Sequence, residues 1–296
     1  MANTRVQIGV LGASGYVGSR LSRLATASGV DAVRFSRSER PGFRRIPADG
    51  VPDFSGLDVV INLVGEPILG LWTRAKRQRI FESRVAGTKR VVEAIALARP
   101  SPSVLVNASA IGYYGDTGES EVDESAPAGS GFLAETCQAW EEAARGAESL
   151  GIRVAILRIG FVVGPGGAMR LVAPVFRFGL GGTLGNGRQW MSCIHVDDVA
   201  GMALWAAENE TAHGPINAVM PRPVRNSEFT RALAKSLNRP AIFPAPAILL
   251  RMVLGELSRI MLDSVRVVPG VAKTLGYAFR FADLDTAFSP PPPAAS

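Results

Sequence analysis

With two cysteines and two histidines among 296 residues, the chain has little material for a metal centre or a disulfide framework. Cys137 and Cys193 stand far apart and in no ligand-like spacing, so no metal is expected and a reducing compartment, the cytoplasm, is the simplest reading. Long apolar runs are missing as well. Nothing approaches the roughly 18 residues that a membrane span needs, and the opening "MANTRVQIGVLGASG" has no basic-then-apolar leader, so neither export nor a membrane partner is expected. Acidic charge is the minority sign, with 26 Asp and Glu against 32 Lys and Arg for a net charge of +6. The densest basic run, "TRAKRQRIFESRVAGTKR" at Thr73 to Arg90, comes without an aromatic-interleaved binding motif. It reads as a solvated helix face beside an anionic ligand, and no nucleic-acid partner is expected.

What the chain does have is alternation. "VQIGVLG", "DAVRFSR", "LDVVINLVG", "SVLVNASA" and "IRVAILRIGFVVG" are short apolar runs suited to buried strands. Between them lie helical patterns, through Val17, Leu21 and Leu24, then from about Ala75 to Ala98 and from about Leu133 to Leu150. Strands alternating with helices predict an α/β fold, a doubly wound parallel Rossmann sheet covered on both faces. After "VVGPGG" the rhythm breaks. The expected division is a nucleotide-binding domain over residues 1–164, with 193–217 returning to it, and a smaller C-terminal α+β substrate lobe from 165–192 and 218–285. A disordered Pro-rich tail is expected over 286–296, because consecutive prolines neither donate to a ladder nor continue a helix.

"GVLGASGYVG" places Gly12, Gly15 and Gly18 between the first strand and the first helix. Glycine there serves a tight turn, close backbone approach to a pyrophosphate, and packing of helix on sheet, while the helix N-terminus meets the negative charge. Ser14, Tyr16 and Val17, in the loop and first turn, join the three glycines as expected cofactor contacts. About 20 residues on, where NAD-binding units carry an acid for the ribose hydroxyl, this chain has "FSRSER". Ser36 and Arg37, with Arg40 close by, offer donors and positive charge to a 2′-phosphate, so NADP is expected over NAD. Leu63, Val64 and Gly65 of "NLVGEPI" should border the cofactor, and the role of Glu66 beside them stays open.

The ordered segments "GASGYVG", "DVVINLVGEPI", "SRVAGTKRVVEAI", "SAIGYYGD", "FLAETCQAWEEAA", "LRIGFVVGPGGA" and "GLGGTLGNGRQWMSCIHVDDVA", followed by "GPINAVMPRPVRNSEFTRALA" and "LGYAFRFADLDTAF", carry a further signal. Together they resemble the atypical extended short-chain dehydrogenase/reductases called the epimerase family, and the resemblance spans nearly the whole chain. Extended members use a Ser or Thr, a Tyr-x-x-x-Lys pair for proton transfer, and commonly a Glu four residues beyond the lysine. Taking Glu141 as that glutamate puts Cys137 where lysine belongs and Leu133 where tyrosine belongs. Arg84 stands where the asparagine of the usual "N-V-x-G-T" helix would be. By the same resemblance Ser109 is the retained hydroxyl, although counting back from Tyr114 puts Ala110 in register.

The candidate reacting groups are therefore Ser109, Tyr113, Tyr114, Cys137 and Arg84. Arg84 suits a carboxylate or phosphate, or it is an ordinary helix-surface arginine. Cys137 as a thiolate beside Arg84 would be nucleophilic, yet it also falls on the buried stripe with Phe132, Leu133, Thr136 and Trp140, and packing is the favoured reading. Of the two tyrosines, one is expected to pack under the cofactor and the other to line the cleft. Met191 stands where extended members grip substrate phosphates with arginine, which weakens a nucleotide-sugar reading even with Arg188 nearby. His195 reads as a satisfied histidine at a helix start capped by Asp197. Two functions follow: an NADP(H)-dependent oxidoreductase or epimerase-like enzyme on a small polar or anionic substrate, or a non-catalytic NADP(H)-binding regulator. An apolar plug from Trp140, Trp190 or Met191 would favour the regulator. A homodimer is expected from fold analogy alone.

Overall fold

In the computed structural model, which describes residues 6–289, the first apolar run forms strand Gln7–Leu11 (β1), and the glycine turn after it opens helix Tyr16–Ala27 (α1). Buried Gly18, Leu21, Ser22 and Ala25 recur at helical spacing and give α1 one inward face. The chain continues through strands Asp31–Ser36 (β2), Arg44–Arg45 (β3) and Val59–Asn62 (β4), helix Arg74–Leu97 (α2), strand Val104–Ala110 (β5), a 3-10 turn at Ile111–Tyr114, helix Phe132–Arg145 (α3) and strand Arg153–Ile159 (β6). Then come strand Phe161–Val163 (β7), helix Met169–Arg177 (α4), strands Trp190–Met191 (β8) and Cys193–His195 (β9), helix Val196–Glu208 (α5), and strands Gly214–Ala218 (β10) and Val224–Arg225 (β11). Helices Asn226–Ser236 (α6), Ala247–Leu254 (α7), Arg259–Leu262 (α8), Gly270–Thr274 (α9) and Leu284–Phe288 (α10) complete the order.

Seven strands pair in parallel in the order β10-β6-β5-β4-β1-β2-β3. The winding reverses between β1 and β4, and in a doubly wound sheet a ligand crevice opens beyond the strand ends at such a switch point. The two-residue period of the strands divides the core cleanly. Ile8, Val10, Ile61, Val106 and Leu157 pack with α1 and α5, whereas Val60, Leu105, Val154 and Ile156 pack with α2 and α3. A third cluster, with Met169, Phe176, Cys193, Val224, Phe229 and Leu284, holds α4, α6 and α10 together as the lobe core.

The run "IRVAILRIGFVVG", expected as one strand, is two. At Gly160 an added Cβ would overlap the Ser192 carbonyl oxygen, so the chain turns off there, and β7 leaves the sheet to pair with β9. Of the segment expected to return to the sheet, β10 joins it and α5 packs on it, while β9 stays with β7. The expected tail begins too early. Asp283 accepts from Thr286 N at 2.8 Å and starts α10, which runs to Phe288. The rest of that tail, 290–296, and the opening residues 1–5 lie outside the described residues. Among those described, no helix is long and apolar enough to cross a membrane.

Candidate active site

The nucleotide end of the crevice is built by backbone. Gly12 sits at φ +76°, its carbonyl accepts from Gly15 N at 2.9 Å, and a Cβ on it would lie 2.8 Å from the Leu63 carbonyl oxygen. A Cβ on Gly18 would overlap the Gly12 carbonyl, so glycine is what lets α1 close on the loop. No side chain caps the start of α1 and no acid lies in its first turn, which leaves first-turn N–H groups available to an anion. These are the features that a pyrophosphate cradle requires. Ser36 is half-buried at the end of β2, with Oγ 3.3 Å from Ser38 Oγ, and Arg37 next to it is exposed with no carboxylate partner among the described residues. After β4, Leu63 N donates to Leu11 O at 3.1 Å, and Val64 N to Asn62 Oδ1 at 3.3 Å. Glu66 next in line is taken up: it accepts from Lys76 Nζ at 2.8 Å and lies 3.6 Å from Arg79, which together hold its carboxyl below the usual range.

Tyr16 departs from expectation. Its hydroxyl accepts from Gly166 N at 3.1 Å, and its ring closes on Gly164, Gly166 and Gly167 where a Cβ would not fit. The half-buried side chain thus ties the glycine turn to the "GPGG" loop. His195 is also corrected in detail. Its Nδ1 accepts from Asp197 N at 3.2 Å, so the histidine is the cap, while Asp197 pairs with Arg20 (Nη2 to Oδ2 2.7 Å).

At the other end, polar groups are bound to one another. Glu141 and Arg158, at 0% and 2% side-chain exposure, form a fork of two bonds, Nε to Oε1 at 2.8 Å and Nη2 to Oε2 at 2.9 Å. Ser109 Oγ donates to Glu141 Oε1 at 2.8 Å. Arg158 Nη1 donates to the Tyr114 hydroxyl at 2.8 Å, and that hydroxyl donates to Asn217 Oδ1 at 2.8 Å. Burial pushes the Tyr114 phenol up to about 12. Burial works against the Arg158 charge too, but the Glu141 carboxylate more than offsets it and the guanidinium is held above its usual range. Both candidate hydroxyls, Ser109 and Tyr114, thus donate to protein acceptors in this structure.

Cys137 is buried beneath this corner, and burial, reinforced by Glu141, pushes its thiol up to about 11. Burial and the raised thiol both favour packing over a reactive thiolate. Arg84 is no surface residue either. Its Nη1 donates to the carbonyls of Glu66 (3.0 Å) and Ile80 (3.2 Å), and its guanidinium carbon lies 5.0 Å from the Trp140 ring centre. No carboxylate of the described residues comes within 4.0 Å of it, and burial makes its charge harder to hold. Tyr113 differs from its neighbour: its ring lies 3.5 Å from the Arg158 guanidinium carbon, and its hydroxyl has no hydrogen bond among the described residues.

Arg158 and Asn217 were missed from the sequence. The available signal was an arginine inside the apolar run "VAILRIG", since a charge on a buried strand needs a partner. Each of the three candidate plugs is engaged by protein partners. Trp140 is buried and donates to Thr88 Oγ1 at 2.9 Å, Trp190 lies between Arg225 and Arg266, and Met191 packs into the lobe. A cavity of about 60 Å³ remains between α3 and the lobe, lined by Trp72, Gly112, Leu133, Arg259 and Val265 among others.

The sheet order, the glycine turn and the uncapped helix define a dinucleotide-binding protein of the Rossmann type. Residues 8–218 match the family described as "NAD dependent epimerase/dehydratase family", and residues 245–289 match a domain of unknown function, DUF1731. The chain is 34% identical to epimerase family protein YfhF of Bacillus subtilis over 96% of its own length and 97% of that protein's. It is 36% identical to the chloroplastic SDR39U1 homolog of Arabidopsis thaliana, over 94% and 84%. The crystal structure of human epimerase family protein SDR39U1 with NADPH superposes with a TM-score of 0.90 at 30% identity, covering 96% of this chain and 98% of that one. The chain belongs to the NAD dependent epimerase/dehydratase family and, within it, to the atypical extended short-chain dehydrogenase/reductases of the SDR39U1 kind.

Proposed function

We propose that the chain binds NADP(H) at the C-terminal strand ends and acts there as an oxidoreductase or epimerase-like enzyme on a small polar or anionic substrate. The observation that carries this reading is the uncapped start of α1 behind Gly12, Gly15 and Gly18. The NADPH in the human SDR39U1 crystal supports the choice of cofactor. Gly12, Ser14, Gly15 and Gly18, with the backbone N–H groups of Tyr16 and Val17, would hold the pyrophosphate. Ser36 and Arg37 would take the 2′-phosphate, and Leu63, Val64 and Gly65 would border the ribose. The nicotinamide, when bound, supplies or accepts a hydride.

Tyr113 is the proton donor or acceptor in this reading, because its hydroxyl has no protein partner and the Arg158 cation lies against its ring. Ser109 and Tyr114 are positioning residues that fix the end of β5 beneath it. The Arg84 nitrogens beyond Nη1 would orient an anionic substrate group. A second reading, the NADP(H)-binding regulator, is favoured by one specific observation: the Ser109 and Tyr114 protons are taken up by Glu141 and Asn217, in a sequence with no Tyr-x-x-x-Lys.

The test measures NADPH and NADH affinities and then turnover on a panel of carbonyl compounds. NADPH should bind roughly tenfold or more tightly than NADH, with the preference lost in Arg37→Ala. Turnover that Tyr113→Phe abolishes at unchanged NADPH affinity supports the enzyme. Binding without turnover supports the regulator, and failure to bind NADPH overturns both.

A further inference from the structure

One face of the lobe is apolar, uncovered and free of acidic charge. On α4 and its C-terminal cap, Leu171, Val175 and Phe178 recur at i, i+4 and i+7 and are 64%, 46% and 81% exposed. On α7 no residue is buried, and Ile248 and Met252, four residues apart, are 71% and 78% exposed. A helix on a globular surface normally turns such a stripe inward. The two helices belong to one surface, because the segments that join them are laced together. Phe243 N donates to Gly181 O at 3.1 Å, Ala245 N to Thr183 O at 2.8 Å, and Arg239 Nε to Arg177 O at 2.9 Å.

Charge decides what can cover this face. Residues 161–196 and 229–255 contain no aspartate or glutamate. Arg170, Arg177, Arg239 and Arg251 rise from the same segments, and none has a carboxylate within 4.0 Å among the described residues. The next acids along the chain, Glu256 and Asp263, are paired with Arg77 and Arg259. A two-fold contact between copies through this face would set arginine against arginine. An anionic bilayer surface matches both features, with apolar side chains entering the headgroup boundary and arginines meeting lipid phosphates.

We infer that the face formed by α4 and α7 docks the protein on an anionic membrane surface, lying on it rather than spanning it. A membrane partner was not legible in the sequence, because an eight-residue helix is far shorter than a span. The 3-10 turn Gly255–Ser258 that follows α7, then α8 and its C-terminal cap, supply Glu256, Ile260 and Asp263 to the wall of the small cavity beside α3, so docking brings that cavity close to the lipid. The inference does not depend on the NADP(H) reading.

Vesicle flotation of the full chain tests it, with phosphatidylcholine alone and with phosphatidylcholine plus phosphatidylserine. The protein should float with the anionic vesicles, and added salt should weaken the association. Phe178→Glu with Met252→Glu, and separately Arg177→Glu with Arg251→Glu, should each reduce flotation roughly tenfold or more at unchanged melting temperature. Flotation unaffected by both double variants overturns the proposal. So does absence of flotation, or a dimer in sedimentation that Met252→Glu dissociates while vesicles bind nothing.

Discussion

The two ends of the crevice use the same strand ends in opposite ways. Around Gly12 and α1, side chains are withheld and first-turn backbone N–H groups have no side-chain partner among the described residues, which leaves them open to an anion. Around Glu141 and Arg158, the side chains of Ser109, Tyr114, Glu141, Arg158 and Asn217 are bonded to one another, and only the Tyr113 hydroxyl and the Arg84 nitrogens beyond Nη1 stand without a protein partner among the described residues. The first arrangement is built to bind and the second to be rigid. The difference goes with a sequence in which no Tyr-x-x-x-Lys occurs.

The comparison breaks most visibly at the buried pair. Arg158→Met removes the two-bond partner of the buried Glu141 carboxylate and leaves it only Ser109 and the more distant Arg145 at 3.4 Å, and unfolding in urea should register a loss of about 3–5 kcal/mol. The double variant Glu141→Leu/Arg158→Met should lose less than that single change, which separates a stranded charge from lost packing. At pH 8, iodoacetamide should modify native Cys137 at least about a hundredfold more slowly than an ordinary thiol, because its ionisation is pushed up to about 11, and denaturant should remove the difference.

Gly18→Ala sharpens the other side. Its methyl would meet the Gly12 carbonyl, a backbone atom that cannot turn away, so stability should drop by about 1–3 kcal/mol and NADPH affinity should fall with it. The smallest effect concerns His195, whose value burial lowers below 6.5. The unfolded chain then takes up the proton first, so this contribution is complete above pH 6.5 and is lost as pH falls below it. The slope is at most about 1.4 kcal/mol per pH unit. His195→Asn, which can still cap α5, should flatten that limb of the stability curve.

Local signals were legible and partner choices were not. The alternation of apolar runs with helical spacing, and glycine at 12, 15 and 18, depend on neighbours within a few residues, so the Rossmann sheet and its cradle could be read directly. The acceptors for Ser109 and Tyr114 lie 32 and 103 residues away, and nothing local says that these hydroxyls are engaged. Tyr16 sat in the cofactor motif, but its partner at Gly166 lies 150 residues on. The break at Gly160 is likewise imposed by Ser192, across the lobe connection. In α7 the composition reads as core, and only the fold reveals that its apolar side chains face outward.

The most direct test is a crystal structure of the protein with NADPH and a carbonyl compound that it turns over. The account predicts pyrophosphate on the α1 start and the Tyr113 hydroxyl within about 2.6–3.2 Å of the ligand oxygen beside the nicotinamide, with Ser109 still bonded to Glu141 and Tyr114 to Asn217. Ser109 or Tyr114 turned out of that network toward the ligand, with Tyr113 remote from it, would contradict the account.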